Sequence, residues 1–398
     1  MVAHHPSSSS RHSVADPTLH SALQISKDSD SVSAFRYDLL AAVRKEGLVS
    51  KDTRDSKRSL AATVRVVAVY GASGHTGRFV VAELQRRGWK VVAAGRDSKK
   101  LQMLGETRPD LEIRLASIDD PKLLDDVFAG AVAVINCAGP FLDTAAPLIS
   151  AALRARIHYL DVTAEQTATL AAFERFSEPA RAAGVLILPS MAFYGGLGDL
   201  LATAAMDDWS HADEIRIAVG LDGWKPTQGT RRTGERNTYR RSIFSNGKLQ
   251  FLADPAPKTR WDFLPPFGTQ SVVALPLAET IVISRHLRVP EIRAYMNLKP
   301  LEDLHDPNTP EPTAVDGTGR SAQKFVMDVV VRQGKASRRA FARGRDIYAI
   351  TAPLAVEALE RLLSNPKKAS GTVAPGEIFD AKDFLKSVTP NNFSVDFL

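Results

Sequence analysis

The sequence predicts an α/β fold with a doubly wound parallel sheet, a second domain of mixed α+β structure, and a C-terminal segment that returns to the first domain. Two patterns lead to this prediction. From Val64 to about Trp209, short apolar, β-branched runs alternate with helical patterns, as in parallel sheets covered by helices on both faces. Beyond Trp209, apolar and polar residues alternate, which is typical of a sheet with one solvated face.

The length of the chain, 398 residues, exceeds one ordinary hydrophobic core and predicts several segments. These are a disordered leader with one short helix at 1–62, the parallel-sheet domain at 63–209, the α+β domain at 210–350, and a C-terminal helix and tail at 351–398 that pack back on the first domain. The leader is assigned because its serine-rich first half lacks the apolar surface that would offset the entropy of ordering.

The composition excludes several classes of protein. No apolar run reaches the roughly 18 residues of a spanning helix, and no secretory signal pattern opens the chain, so we expect a cytoplasmic protein without a membrane span. The single cysteine, Cys137, excludes an intrachain disulfide, and no Cys/His cluster has zinc-ligand spacing, so no metal is expected. The net charge of +6 is mild, and no nucleic-acid partner is expected, while a homodimer is left open.

The individual elements follow from the same patterns. Six buried strands are predicted for the first domain, at residues 66–70, 91–94, 111–115, 132–136, 159–162 and 185–188. Its first helix, at about 76–87, should bury Val80, Val81 and Leu84 and end at Gly88. Further along the chain, strands are predicted at 215–219, 325–331 and 347–350, a helix at 353–363, and a short packing segment at 379–385.

A glycine-rich turn follows the first strand directly, in the order Gly71-Ala-Ser-Gly-His-Thr-Gly77. A helix N-terminus attracts phosphate through its free N–H groups, and glycines let the ligand approach the main chain closely. The G-x-x-G-x-x-G spacing departs from the commoner G-x-G-x-x-G, and a purely structural glycine turn is the alternative. The surrounding strand, helix and second strand favour a Rossmann-type dinucleotide site. The predicted cofactor-binding residues of this turn are Gly71, Ser73, Gly74, His75, Thr76 and Gly77.

The end of the second strand indicates which dinucleotide is bound. An acidic residue there would bind a ribose 2′-hydroxyl and repel a 2′-phosphate, but this chain has Arg96, with Lys99 and Lys100 nearby. Asp97 precedes a helical run and is interpreted as its N-cap. NADP is therefore favoured over NAD. After the third strand, Ser117 and Asp119 are predicted to lie at the adenine edge.

The end of the fourth strand, Asn136-Cys-Ala-Gly-Pro-Phe141, is predicted to lie at the nicotinamide end of the cofactor. Its small residues allow a flat ligand to lie against the backbone, so Cys137, Ala138, Gly139 and Pro140 are predicted cofactor contacts. Cys137 also permits an alternative, a thiol nucleophile of the kind that forms a thioester in aldehyde dehydrogenation. A small buried cysteine beside a cofactor is the simpler interpretation.

The fifth strand carries the candidate catalytic residues, although no catalytic acid can be assigned with the same support as the cofactor site. Tyr159 and Asp161 lie at its carboxyl end, where doubly wound sheets bind ligands, and either side chain could orient a substrate or relay a proton. Thr163 and Glu165 follow and are equally consistent with capping the next helix.

A cluster of five arginines lies in the second domain and is called the arginine cluster below. Its members are Arg231, Arg232, Arg236, Arg240 and Arg241. A solvated loop is the favoured interpretation, and attraction of a substrate phosphate or carboxylate is the alternative.

Four of these segments, in this order, resemble the saccharopine dehydrogenase-like oxidoreductases, a family that includes the trans-acting enoyl reductases. They are residues 71–77, 94–96, 136–141 and 159–165, and residues 372–384 are similar to the family's closing element. The resemblance covers about residues 64–390. It implies a Rossmann domain with an inserted α+β domain, and hydride transfer between NAD(P)H and a C=N or C=C bond of a small or acyl substrate.

Two other functions remain open beside this reductase. A non-catalytic NADP-sensing regulator that resembles the NmrA-like proteins would keep the glycine turn. The long, strand-rich second domain argues against that alternative, because it is suited to cover a substrate. An enzyme of the semialdehyde dehydrogenase type, with Cys137 as nucleophile, would share the G-A-S-G-x-T-G turn.

Overall fold

The computed structural model describes residues 65–364, 370–389 and 393–398. The predicted leader and its helix lie outside the described residues. The described part contains two sheets, a parallel sheet of seven strands and a mixed sheet of nine, which confirms the predicted fold class. No helix in this part has the length and hydropathy to cross a membrane.

The parallel sheet has the strand order β15-β6-β5-β4-β1-β2-β3. Its strands are β1 Val66–Tyr70, β2 Lys90–Gly95, β3 Glu112–Leu115, β4 Ala131–Asn136, β5 His158–Asp161, β6 Leu186–Leu188 and β15 Gly371–Thr372. The six predicted strands are confirmed to within about two residues at either end. The seventh, β15, comes from the C-terminal region and was not predicted, because two residues are too short to show a periodic pattern.

Five helices connect the first six strands and cover both faces of the sheet. They are α1 His75–Arg86, α2 Ser98–Thr107, α3 Pro121–Phe128, α4 Phe141–Ala155 and α5 Gln166–Ala183. As predicted, α1 buries Val80, Val81 and Leu84. The N-cap prediction for Asp97 is also confirmed, because its side chain accepts a hydrogen bond of 3.0 Å from the backbone N–H of Lys100.

The second sheet is mixed and has the strand order β10-β11-β12-β7-β13-β14-β16, with β8 and β9 attached at β12. Its strands are β7 Glu214–Leu221, β8 Ser242–Ser245, β9 Lys248–Phe251, β10 Lys258–Asp262, β11 Thr269–Ala274, β12 Ile292–Asn297, β13 Lys324–Gln333, β14 Ala336–Arg345 and β16 Phe393–Phe397. The predicted strands at 215–219 and 325–331 lie within β7 and β13 and are confirmed.

The strand predicted at 347–350 is wrong, because this segment is a turn that leads into a helix. Asp346 adopts a left-handed conformation with φ of 63°, and its carboxylate accepts hydrogen bonds from the N–H groups of Tyr348 and Ala349. A carboxylate that binds successive N–H groups removes them from any strand ladder. The apolar residues of this segment were therefore assigned to a strand although they form a turn before α10.

The remaining elements connect and cover the two sheets. A kinked turn, Phe193–Leu197, precedes α6 Gly198–Met206 and is called the π-helical turn below, because the N–H of Leu197 donates to the carbonyl oxygen of Ala192, although Tyr194 and Gly195 are non-helical. The helices that follow are α7 Gln228–Arg236, α8 Ala278–Ser284, α9 Leu298–His305, α10 Thr351–Ser364, α11 Pro375–Ile378 and α12 Ala381–Val388. The helix predicted at 353–363 lies within α10 and is confirmed.

The C-terminal region returns to the first domain as predicted, but it also completes the second sheet. Helix α10 packs on α1, where the Arg87 guanidinium contacts the carboxylates of Glu357 at 2.8 Å and Glu360 at 2.5 Å. Strand β15 pairs with β6 of the parallel sheet, whereas β16 pairs with β14 of the mixed sheet. The tail therefore joins both sheets, and its pairing with the mixed sheet was not predicted.

Candidate functional site

A cavity of about 1120 Å³ lies at the carboxyl ends of the parallel strands, where doubly wound sheets bind their ligands. One wall consists of the glycine turn after β1, the ends of β2 and β3, and the loop after β4. The opposite wall comes from the π-helical turn, α7 and the turn before α10. The two domains therefore enclose one shared space.

The glycine turn packs so closely that side chains cannot replace its glycines. At Gly71, φ is +82° and an added Cβ would lie 2.8 Å from the amide nitrogen of Ala138. An added Cβ at Gly77 would lie 2.1 Å from the carbonyl oxygen of Gly71, so Gly77 packs against the turn and does not border the cavity. The other predicted residues of the turn, Gly71, Ser73, Gly74, His75 and Thr76, all border it.

His75, the first residue of α1, presents a polar atom that the protein leaves unpaired. Its Nε2 is buried and has no hydrogen-bond partner within the described ranges. Its ring contacts Phe79 and Tyr348 edge-on, with centroids 5.4 and 5.2 Å apart. Burial lowers the pKa of His75, so the imidazole is neutral near pH 7 and carries one N–H donor. Such a donor at a helix N-terminus fits a ligand rich in phosphate or ribose oxygens.

The end of β2 brings positive charge to the same cavity. Arg96 and Lys100 border it, together with Arg78 of α1, whose Nε donates to the carbonyl oxygen of Ser73 at 3.1 Å. Asp97 also borders the cavity, but its carboxylate is engaged in capping α2. This end of the cavity is therefore suited to a phosphate group.

The residues after β3 separate into two groups. Asp119 borders the cavity, and so does Ile118, which was not predicted. Ser117 does not border the cavity, and its hydroxyl donates to Asp119 Oδ2 at 3.1 Å. Ser117 therefore orients Asp119, which faces the cavity, while Ser117 itself does not border the cavity.

The loop after β4 borders the cavity along its whole length, at Cys137, Ala138, Gly139 and Pro140. Gly139 lies against α7, because an added Cβ there would be 2.9 Å from Thr233 Oγ1. Burial, with a smaller effect from Asp161, raises the pKa of the Cys137 thiol well above its usual range. Cys137 therefore remains a thiol near pH 7, which argues against the nucleophile alternative.

Tyr159 and Asp161, the candidate catalytic residues, do not border the cavity. They are 0% and 1% exposed and form a closed network beneath the loop after β4. Tyr159 donates to Asp161 Oδ2 at 3.0 Å and accepts from Asn136 Nδ2 at 3.1 Å, and Asn136 Oδ1 accepts from the N–H of Ala138 at 2.9 Å. Burial raises the pKa of Asp161 to about 6. This geometry indicates that the two residues position the loop.

Glu165 borders the cavity and caps a different helix from the one expected. Its two carboxylate oxygens accept the N–H groups of Phe141 at 2.7 Å and Leu142 at 2.9 Å, at the start of α4. A carboxylate at a helix N-terminus is stabilised by the exposed N–H groups and by the helix dipole. Capping of the following helix was one of the two alternatives for Glu165: it is the N-cap residue of that helix, α5, but its side chain makes no capping hydrogen bond there and binds the start of α4 instead. Thr163 Oγ1 accepts the N–H of Glu165 at 2.9 Å and fixes this arrangement.

An aromatic and apolar wall, formed by the π-helical turn after β6 and by the second domain, completes the cavity and was not predicted. It consists of Phe193, Tyr194, Trp224, Leu277, Ile347 and Tyr348. The indole of Trp224 donates to the Tyr348 hydroxyl at 2.8 Å, which fixes both rings. The only local signal in the sequence is that Tyr194 and Trp224 adjoin glycines, where a large aromatic side chain has no obvious helix or strand face to fill.

The arginine cluster is divided between the cavity and the surface. Arg232 and Arg241 border the cavity, whereas Arg236 pairs with Asp143 of α4 at 2.9 Å, and the other two donate to main-chain carbonyl oxygens. The first three members lie on α7, so the expected loop is a helix over that part. Burial lowers the pKa of Arg241.

Comparisons with known proteins agree with this site. A family model described as the saccharopine dehydrogenase NADP binding domain matches residues 67–188. The human saccharopine dehydrogenase-like oxidoreductase is 29% identical over 226 residues, which cover 49% of this chain and 52% of that protein. A trans-acting enoyl reductase of Mycobacterium bovis is 31% identical over 105 residues, or 25% of each chain. This chain therefore spans about half or less of the length of the curated relatives it matches.

A solved structure shares the fold over most of the described chain. Apo saccharopine dehydrogenase (L-Glu forming) from Saccharomyces cerevisiae superposes with a TM-score of 0.59 at 12% identity, covering 84% of this chain and 100% of that one. At this identity the match concerns the fold alone. Residues 67–188 therefore match the saccharopine dehydrogenase NADP-binding domain, and about half of the chain is similar in sequence to the human saccharopine dehydrogenase-like oxidoreductase.

Proposed function

We propose that this protein is an NADPH-dependent oxidoreductase that reduces a C=N or C=C bond of a small or acyl substrate. The observation that carries the proposal is one cavity in which the glycine turn and a basic strand end face an aromatic wall built by both domains. Such a cavity has room for a dinucleotide along one side and an acceptor on the other.

The residues that would hold the dinucleotide follow from their positions. The N–H groups at the start of α1 and the His75 imidazole would bind the pyrophosphate and ribose, while Arg96, Lys100 and Arg78 would bind the 2′-phosphate. The loop at residues 137–140 would support the nicotinamide. When bound, the reduced nicotinamide supplies a hydride, and the chain positions the acceptor against it.

The chain's own contribution is rigidity and the exclusion of water. The network of Asn136, Tyr159 and Asp161 holds the loop at residues 137–140 from below, and Glu165 fixes the start of α4 beside it. Helix α7 covers the same loop from the second domain, through the contact of Thr233 with Gly139. These contacts keep the reacting groups at a fixed distance.

Cofactor choice is tested by titrating the protein with NADPH and with NADH, followed by fluorescence. Arg96→Ala should weaken NADPH binding by about 10- to 100-fold and change NADH binding little, because a charged hydrogen bond to phosphate contributes about 1.5–3 kcal/mol. Lys90→Ala is the matched control, since it removes the same charge from the exposed opposite end of β2. An equal loss for both dinucleotides would contradict the assignment of Arg96 to the 2′-phosphate.

The reaction is tested by following NADPH absorbance over a panel of imines and enoyl thioesters. Oxidation of NADPH that depends on one acceptor class supports the reductase and selects between C=N and C=C. Tight NADPH binding without turnover on any acceptor would favour the NADP-sensing regulator.

Cytoplasmic localisation and a homodimer stay predictions. A relative from Caenorhabditis elegans, 27% identical over 184 residues, is named a lipid droplet localized protein.

A further inference from the structure

Tyr194 forms part of the cavity wall, and its hydroxyl has no partner in the protein. The side chain is 8% exposed, and its Oη is buried without a hydrogen bond among the described residues. Three other buried tyrosine hydroxyls near the site are all paired. Tyr70 donates to the carbonyl of Ala116, Tyr159 to Asp161, and Tyr348 accepts from a tryptophan indole. A buried, unpaired hydroxyl destabilises the fold, so its retention calls for a function.

The ring of Tyr194 is held in a fixed position. It stacks on Trp224 with centroids 5.9 Å apart and contacts Phe193 edge-on at 4.8 Å. The backbone belongs to the π-helical turn, where Tyr194 and Gly195 are themselves non-helical, Gly195 has φ of +112°, and an added Cβ at Gly195 would lie 2.5 Å from the carbonyl oxygen of Ser190. Ser190 itself has φ of 62°. A serine in this left-handed region is strained, and such strain is concentrated at functional sites, where the surrounding structure holds the backbone in place.

The surroundings keep this hydroxyl protonated. Burial raises the pKa of Tyr194 well above its ordinary value, and Tyr348 and the buried carboxyl of Glu279 raise it further. The side chain is therefore an O–H donor throughout the neutral range. A donor that is rigid, desolvated and free of protein partners is prepared to bind an acceptor atom of a ligand.

We propose that the Tyr194 hydroxyl binds the substrate atom next to the hydride-accepting carbon and protonates that atom during reduction; this inference rests on the proposed function. A C–H bond forms at the acceptor carbon, the π bond of the C=N or C=C group breaks, and its electron pair moves to the neighbouring nitrogen or carbon. That atom takes the proton from Tyr194 Oη. The resulting phenolate regains a proton from water after the product leaves.

The test compares Tyr194→Phe with Tyr295→Phe, a control tyrosine on β12 whose ring packs beside Trp261 outside the cavity. Four quantities are measured on the full chain: kcat with the acceptor identified above, the solvent deuterium isotope effect on kcat, the NADPH dissociation constant, and the thermal midpoint. For Tyr194→Phe we expect kcat to fall by about 100-fold or more and the solvent isotope effect to change, with the NADPH dissociation constant within about twofold. The midpoint should be unchanged or raised by about 1–2 °C, because an unpaired buried hydroxyl is removed. The control should match the wild type in all four.

Each outcome decides the question. A Tyr194→Phe variant that keeps kcat within about threefold overturns the proposal, and so does a loss of kcat accompanied by a lower midpoint, which would indicate a structural role. A wild-type protein that binds NADPH but reduces no acceptor refutes the proposed function itself, and with it this inference. Turnover in the wild type, lost in Tyr194→Phe at unchanged stability and cofactor affinity, supports both.

Discussion

Two glycines with the same positive φ provide a test of how closely the glycine turn is packed. Gly71 and Gly88 both have φ of +82°. An added Cβ at Gly71 would lie 2.8 Å from the amide nitrogen of Ala138 and 2.9 Å from its Cβ, whereas at Gly88 nothing lies within 4 Å. Replacing each by alanine therefore places a side chain at the same unfavourable φ but produces a clash at Gly71 alone.

The expected magnitudes follow from these two contributions. A left-handed conformation costs a residue with a Cβ about 1–2 kcal/mol, which is the whole effect expected for Gly88→Ala. Overpacking against backbone adds about 1–3 kcal/mol, so Gly71→Ala should destabilise the fold by about 2–5 kcal/mol. Gly71→Ala should also weaken NADPH binding, because the clash displaces either the glycine turn or the loop at residues 137–140.

The assay is urea unfolding of both variants and the wild type, with NADPH titration of each folded protein. The decisive quantity is the difference in free energy of unfolding between the two variants, since the conformational strain cancels in it. If Gly71→Ala and Gly88→Ala destabilise equally, or if both leave NADPH affinity unchanged, the turn is not packed as described and the reasoning fails.

Three further predictions concern charge and the thiol. Arg87→Ala should destabilise the fold by about 1–2 kcal/mol, because it removes the ion pairs with Glu357 and Glu360 of α10; Arg361 and the Trp89 indole still contact these two carboxylates. Arg86→Ala, with a side chain 67% exposed, should change the free energy of unfolding by less than about 0.5 kcal/mol, and similar values for the two variants would contradict the role of Arg87. Burial raises the pKa of Glu279 from 4.5 to about 7, so its contribution to stability is complete below pH 4.5 and is lost as the pH rises through about 7. Glu279→Gln should therefore gain about 2.5 kcal/mol in free energy of unfolding, relative to wild type, between pH 5 and pH 8, and an equal difference at both pH values would refute the pKa assignment. Cys137→Ala should keep kcat within about threefold in the NADPH assay, and loss of turnover would restore the thiol mechanism.

The sequence predicted the parallel sheet well because most of its strands are buried on both faces. Runs such as Val66–Tyr70 are continuously apolar and are bounded by glycine or charged residues, so the type and the ends of such a strand can be recognised locally. The second sheet was harder to predict. Strands such as β8, β9 and β10 have only four or five residues and partly exposed faces, which leaves too short a pattern of apolar residues to identify them.

The functional site also has one part that could be predicted from the sequence and one part that could not. The residues at the ends of β1, β2 and β4 could be predicted because fold topology places strand ends at one edge of the sheet. The aromatic wall, including Tyr194 and Trp224, could not, because the distance between the two domains is set by tertiary packing. The surroundings of Asp161 could not be predicted for a related reason. A carboxylate at a strand end can face the cavity or the layer beneath it, and only the partners at Tyr159 and Ser190 decide which.

The way the C-terminal region joins both sheets has a consequence for biosynthesis. Strand β15 forms the edge of the parallel sheet beside β6, and β16 forms the edge of the mixed sheet beside β14. During translation, neither sheet acquires its last strand until residues 371–397 have left the ribosome, so the edges of β6 and β14 stay open to mispairing until synthesis is almost finished. A premature stop codon shortly after α10 would leave unpaired edges on both domains, and the shortened chain would be a substrate for chaperones and proteases.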